Sequence, residues 1–247
     1  MAARTAWSPA WAESALVRLL ARLAPADAPA APPPELADGL AQWLGWTDAI
    51  ALSAALDGAP GADAPQAPAA APLDDEAERL RGLLRHAIEA DPVLSGAPAV
   101  PAARLARSAS PAAVAAAAAQ AAAEPPPEFA VYRQRYLARQ QAMETAIGAS
   151  RGGLRDALAA RSPALARLAA VDAVMEQALA AREQALLGML PTRLQKHFER
   201  LRHEAGPEAP PAAWLPAFRR DLQALLLAEL DFRLQPLEGL MQALRTP

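Results

Sequence analysis

From Glu128 to about Leu190 the chain reads as two long amphipathic helices with a single strong break, at Arg161-Ser162-Pro163. In the first, Phe129, Tyr132, Tyr136, Met143 and Ile147 recur in steps of three, four, seven and four. That spacing is one helix face, close to a heptad seam. Gly148, Gly152 and Gly153 follow, and a penalty of about 1 kcal/mol per glycine predicts a kink or local fraying there. Leu154 and Leu158 resume the apolar face. The residue before a proline is biased away from the helical region, and serine is a good N-cap. The second helix is therefore expected to start at Pro163, with Leu165, Leu168, Met175, Leu179, Leu186 and Leu190 inward. A proline deep in a continuous helix loses a hydrogen bond and clashes with the preceding turn. Residues 160–163 are thus predicted to be the turn of an antiparallel helical hairpin. Pro191 interrupts the pattern, and Leu194, Phe198 and Leu201 continue it.

Shorter helices flank this pair. Ser8-Pro9 has the chemistry of a helix start, and Leu16, Leu19, Leu20 and Leu23 repeat at helical spacing before Pro25. A second helix is expected between Pro34 and about Leu56, stopping at Asp57-Gly58. Residues 57–72 read as a linker of Gly, Ala, Pro, Gln and Asp. Asp74-Asp75-Glu76 opens a third helix, its acids favoured by the helix dipole and followed by Arg79, Arg81 and Arg85. That helix spans 73–91. Residues 92–127, proline-rich at both ends around an alanine tract, read as a mobile spacer, because such a composition cannot offset ordering entropy. The last helix is expected from about Pro216, with Phe218, Leu222, Leu225, Leu226 and Leu230 inward and a kink at Pro236. No segment shows sustained strand alternation. The predicted class is all-α: an elongated bundle with an N-terminal helical pair over 1–56, a long hairpin plus final helix over 128–247, and Ala/Pro-rich spacers between.

Composition narrows the function classes. Much of the 53% apolar content is alanine and only 4% of the chain is aromatic, so the expected core is thin. The 247 residues include no Cys, which excludes a disulfide framework and a thiolate nucleophile and fits a reducing cytoplasm. The net charge of −3 divides unevenly. Residues 1–127 hold 8 Arg against 14 Asp and Glu; residues 128–247 hold 16 Lys and Arg against 13 Asp and Glu. This asymmetry is far below that of a dedicated nucleic-acid binder, although an acidic face could meet a basic one. No signal peptide and no transmembrane run are visible.

Candidate sites are few. Trp43 and Trp46, with Asp48, Ile50 and Leu52, belong to a helix that is apolar nearly all round; they read either as a partner anchor or as core. Tyr132, Arg133, Gln134, Arg135, Tyr136 and Arg139 interleave aromatics with cations, as a single-strand stacking platform would. Tyr132 and Tyr136 lie on the inward face, however, so tyrosines in the core and arginines in water is the reading preferred. Arg193, Lys196, His197, Arg200, Arg202 and His203 cluster near a helix C-terminus, where cations complement the dipole or meet an acidic partner. The pairs Glu199/His203 and His86/Glu89 lack the doubled pattern of a bundle metal site. Gly148 to Gly153 lacks the spacing, strand and lysine of a phosphate loop. No catalytic, cofactor or metal site is expected.

Three segments, Ser14–Leu23, Leu40–Leu56 and Arg161–Asp172, together resemble an uncharacterised family of proteobacterial proteins of unknown function. The Trp43-Leu44-Gly45-Trp46-Thr47-Asp48 stretch carries the most specific part. The resemblance brings no activity and no functional residues. Its gene neighbours look like stator-type membrane proteins and peptidoglycan binders, which implies a soluble accessory to a cell-envelope complex. The sequence therefore leads to a non-enzymatic cytoplasmic interaction or scaffold protein. Its partner would be a protein, such as a membrane-complex subunit or a second copy, contacted through Trp43, Trp46 and Ile50 and through Arg193, Lys196 and Arg200. An enzyme with Arg, Asp and Glu gathered between helices is the alternative.

Overall fold

The structure is a computed structural model and describes residues 14–23, 44–57, 71–96 and 128–245. Among these residues there is no strand; there are seven helices of nine or more residues and one single turn. In chain order they are α1 (Ala15–Leu23), α2 (Trp46–Asp57), α3 (Ala71–Glu89), the single turn α4 (Pro92–Ser95), α5 (Phe129–Arg161), α6 (Pro163–Gly188), α7 (Leu190–Ala205) and α8 (Pro211–Arg245). The expected all-α class holds. Ser8-Pro9, Trp43, most of the 57–72 linker and residues 97–127 lie outside the described residues.

The break falls at Ser162, as the sequence requires. Ser162 is extended, its hydroxyl accepts from Leu165 N at 3.3 Å, and Pro163 takes the first helical position. Residues at similar distances from this break meet across α5 and α6. Arg151 bonds Asp172, and farther out Gln140 bonds Leu187 O. α5 runs unbroken through Gly148, Gly152 and Gly153, so the expected fraying is not seen; 33 residues at 1.5 Å rise span about 50 Å.

The core is organised around α8 and not around the α5–α6 seam. α8 buries fourteen residues, α5 seven and α6 only two. Leu222, Leu225, Leu226 and Leu230 are fully enclosed, and α8 touches α1, α3, α4, α5, α6 and α7. An aromatic group closes one end. Phe218 packs edge-on to Tyr132 and Phe198 at 5.2 and 4.9 Å, and Phe198 meets Trp214 at 4.9 Å. Leu16 and Leu23 of α1 are buried, with Leu19 and Leu20 packed beside them; Ser14 caps that helix through Val17 N at 3.2 Å.

Five expectations are corrected. α8 begins at Pro211 and continues through both Pro216 and Pro236. Pro216, the sixth residue, lies beyond the four free N–H groups of the first turn, so both prolines forgo a backbone bond, and the buried residues Leu215, Leu234 and Leu237 hold the helix against its neighbours there. α3 begins at Ala71, before the acidic triplet. On α6, Leu165, Met175 and Leu179 are half-buried and Leu190 just beyond it is buried, as read, but Leu168 and Leu186 are exposed and their neighbours Ala169 and Leu187 are buried instead. The start of the supposed spacer is docked: Leu94 is 1% exposed, and α4 is capped by Asp91 at 3.0 Å from Val93 N. Gly96 ends that turn at φ 67°, and a Cβ there would meet Arg219 Nη1 at 2.4 Å. Finally, Arg133 is exposed as expected, but Arg135 and Arg139, only partly exposed, converge on Asp91 at 3.3 and 2.5 Å.

Candidate functional site

A helical bundle that does chemistry must gather polar groups at a cavity. Polar groups are gathered here, and each set is closed by its own protein partners. The deepest surrounds Glu229 of α8, which is fully buried. Its carboxylate accepts from Tyr136 Oη at 2.7 Å, Gln140 Nε2 at 3.0 Å and Arg233 Nε at 2.9 Å. Arg233 also reaches Glu183 of α6 at 3.3 Å. Burial, then the charge of Glu229 and its hydrogen bond, push the Tyr136 hydroxyl well above its ordinary value, with Arg233 offsetting in part.

A second set joins α1, α7 and α8. Buried His197 places Nε2 at 2.8 Å from Asp221 Oδ2 and Nδ1 at 2.8 Å from Arg200 Nη2. Arginine can only donate, so Nδ1 accepts and Nε2–H donates to Asp221. Arg22 of α1 lies 3.6 Å from the same carboxylate. A third set staples α5 to α6. Arg151 and Arg155 hold Asp172 at 2.6 and 2.9 Å, and both also reach Glu176. Burial works to lower the Arg151 pKa, but its bonds and charges with Asp172, Glu176 and Glu183 outweigh this and raise it. Arg81 with Glu238, and Arg85 with Asp231, pin α3 to α8.

Among the described residues no buried side-chain polar atom lacks a partner. Two concavities stand out. One of about 370 Å³ lies between α3 and the end of α8, around Arg81, Leu237, Glu238 and Met241. The other, of about 240 Å³, lies between Gly96 and Arg219, Arg220 and Gln223. Neither is lined by Glu229, Tyr136, Gln140 or His197. No group of three or more His, Asp or Glu among the described residues could hold a metal ion. Glu89 pairs with Arg85 at 3.8 Å and Glu199 takes the Gln195 amide at 2.9 Å.

The outer surface offers a different kind of site. Among the described residues α2 packs only against α6 in any extensive way, and none of its residues is buried. Asp48, Leu52 and Ala55, at i, i+4 and i+7, are half-covered. The opposite side carries Trp46 at 82% and Ile50 at 53% exposure, and Leu56, at 56%, lies on the flank between. The helix is apolar all round, so one packing contact can cover only part of its circumference. Gly45 N donates to Asp48 at 2.9 Å, fixing the first turn.

The expected basic group is divided. Arg193 and Lys196 are exposed, His197 is inside, and Arg200 is drawn inward to it and to Glu204 at 3.9 Å. Met189 and Leu186, each 48% exposed, adjoin Arg193 and Lys196 and were not read as surface from spacing. Glu229 was also missed; the only signal was a carboxylate at an inward position of the leucine stripe of α8.

No described helix is long and apolar enough to cross a membrane. A family described as "Protein of unknown function (DUF3348)" matches residues 2–246, and the chain belongs to that family. No curated protein and no solved structure matches the chain.

Proposed function

We propose that this chain is a non-enzymatic, cytoplasmic interaction protein that binds a protein partner through the outer face of α2. The observation that carries the reading is Trp46, 82% exposed at the start of a helix whose other side is already docked. Tryptophan is enriched at the centres of interfaces, where its ring removes a large area from water. Of the other aromatic residues described, Trp214, Tyr132, Tyr136, Phe198 and Phe218 are buried, and Phe129 and Phe232 are partly buried against the core. A lone aromatic held outward on an ordered helix is therefore best explained by something that covers it.

The alternative, an enzyme with a charged site between helices, is less well supported. Glu229 is walled in by Tyr136, Gln140 and Arg233, and a substrate would first have to displace them. An accessory role in an envelope assembly rests on the family resemblance alone. The test is to replace Trp46 and Ile50 by Ala and measure thermal stability together with recovery of complexes from source cells. Loss of the complex at unchanged melting temperature is expected. A large drop in melting temperature with unchanged recovery would make Trp46 an ordinary packing residue.

A further inference from the structure

Two surfaces of this chain match in chemistry yet do not meet within one copy. The first is the outer face of α2. Residues 44–57 contain no cation, and although Asp48 lies on the docked side, Asp57 stands exposed on the outer side at the C-terminal end of the helix, accepting from Ser53 Oγ at 3.2 Å, where the dipole adds further negative potential. The second is a stripe across the α6–α7 junction. Met189 keeps helical angles (φ −80°, ψ −16°), its N bonds Leu186 O at 3.3 Å, and Arg193 N bonds Met189 O at 3.2 Å. The backbone thus stays helical through the junction. Leu186, Met189, Arg193 and Lys196, at i, i+3, i+7 and i+10, fall on one side. The buried series Leu187, Leu190, Leu194 and His197 runs parallel to it, about 100° round the helix. One surface is apolar with acid and the other apolar with base. Trp46 is 82% exposed and Leu186 and Met189 are 48% exposed, so neither covers the other in the single chain.

We propose that the outer face of α2 in one copy docks on the Leu186, Met189, Arg193 and Lys196 stripe of a second copy. This rests on the reading that α2 is the docking face, and it names the occupant. Trp46 and Ile50 cover Leu186 and Met189, and the exposed indole face offers Arg193 or Lys196 a cation–π contact. Asp57 meets the remaining cation. An anionic lipid surface is disfavoured for α2 by its lack of any cation. The contact is head-to-tail, so each pair retains one unused face and one unused stripe, and assembly proceeds to a ring or an open chain.

The experiment is sedimentation equilibrium of three full-length chains: wild type, a face variant (Trp46→Ala with Ile50→Ser) and a stripe variant (Arg193→Glu with Lys196→Glu). All changed positions are exposed, and unchanged thermal melting confirms folding; Arg193→Gln with Lys196→Gln replaces the stripe variant if it fails. Wild type should associate with concentration and dissociate in high salt. Each variant alone should associate about thirtyfold more weakly, the scale of losing a hot spot. Mixed, the two variants should form a complex that stops at two chains, because only one intact face and one intact stripe remain. Wild type that stays monomeric to about 0.5 mM overturns the proposal. If the face variant then still loses a different protein, the reading of α2 survives. Self-association that persists unchanged in both variants overturns the pairing and assigns it to another surface.

Discussion

α8 and α2 are both rich in leucine and alanine, yet one is the axis of the molecule and the other has no buried residue. The difference lies in arrangement. The large side chains of α8 gather on stripes facing several neighbours, which close over Phe218, Leu222, Leu225, Leu226 and Glu229. On α2 the apolar residues are spread evenly around the helix, and among the described residues α6 is its only extensive neighbour. Apolar content alone therefore does not decide burial. What decides it is whether other elements supply surfaces on enough sides.

The contrast breaks most readily at its stronger end. Phe218 is fully enclosed and touches the rings of Phe129, Tyr132, His197 and Phe198. Phe218→Ala should cost about 3–5 kcal/mol, the range for a large aromatic removed from a core that cannot collapse. Urea denaturation measures it; a loss below about 1 kcal/mol would mean that this end of α8 is not the core.

Glu229→Ala is expected to cost about 3 kcal/mol, because Tyr136, Gln140 and Arg233 would lose the acceptor they share. Adding Arg233→Met should recover part of that loss, since the buried guanidinium, left with Glu183 alone as its carboxylate, is then gone. A double variant no more stable than the single one would show that the remaining neutral donors carry the penalty.

The same cluster sets a smaller, pH-dependent effect. The folded state holds Tyr136 protonated above the ordinary phenol value of about 10. Between the unfolded and folded values the native state binds more protons than the unfolded one. Stability from this group is therefore intact below about pH 10 and falls as pH rises beyond it. Tyr136→Phe should flatten this alkaline decline while lowering stability at neutral pH. An unchanged slope above pH 10 in that variant would place the titration elsewhere.

The helices were largely legible in sequence, because periodicity and punctuation are local. Ser162-Pro163 carried its own cap and stop, and Tyr132, Tyr136, Met143 and Ile147 faced inward as their spacing required. Failures arose where a distant element decides. Leu186 and Leu187 differ by one position, and which is buried is selected by the elements that pack against α6, not by its own spacing. Arg135 and Arg139 turned to Asp91, 44 and 48 residues earlier, a pairing no local pattern encodes. Glu229 looked like any helix carboxylate until Tyr136 and Gln140 arrived from α5. The exposed Trp46 and Ile50 were named from the all-round apolarity of their helix, whereas the stripe beside Arg193 and Lys196 needed the true phase of α6.

The smallest effects separate the two sides of α2. Leu52 lies half-buried on the side shared with Asp48 and Ala55, whereas Trp46 stands 82% exposed on the other. By size alone, truncating tryptophan would be the more damaging change. By placement the order reverses. Leu52→Ala removes methyl groups already shielded from water and should cost about 1 kcal/mol, since its site is only partly covered. Trp46→Ala removes a ring still largely in water and should cost under about 0.5 kcal/mol, as surface changes do. Amide exchange across residues 46–57 is the most direct measurement, because global unfolding could mask a helix held by a single neighbour. Faster exchange in Leu52→Ala with unchanged exchange in Trp46→Ala would keep docking and recognition on opposite sides of one helix. The reverse order would mean that the tryptophan side is what holds α2 to the bundle, and its exposed face would no longer be available to argue for a partner.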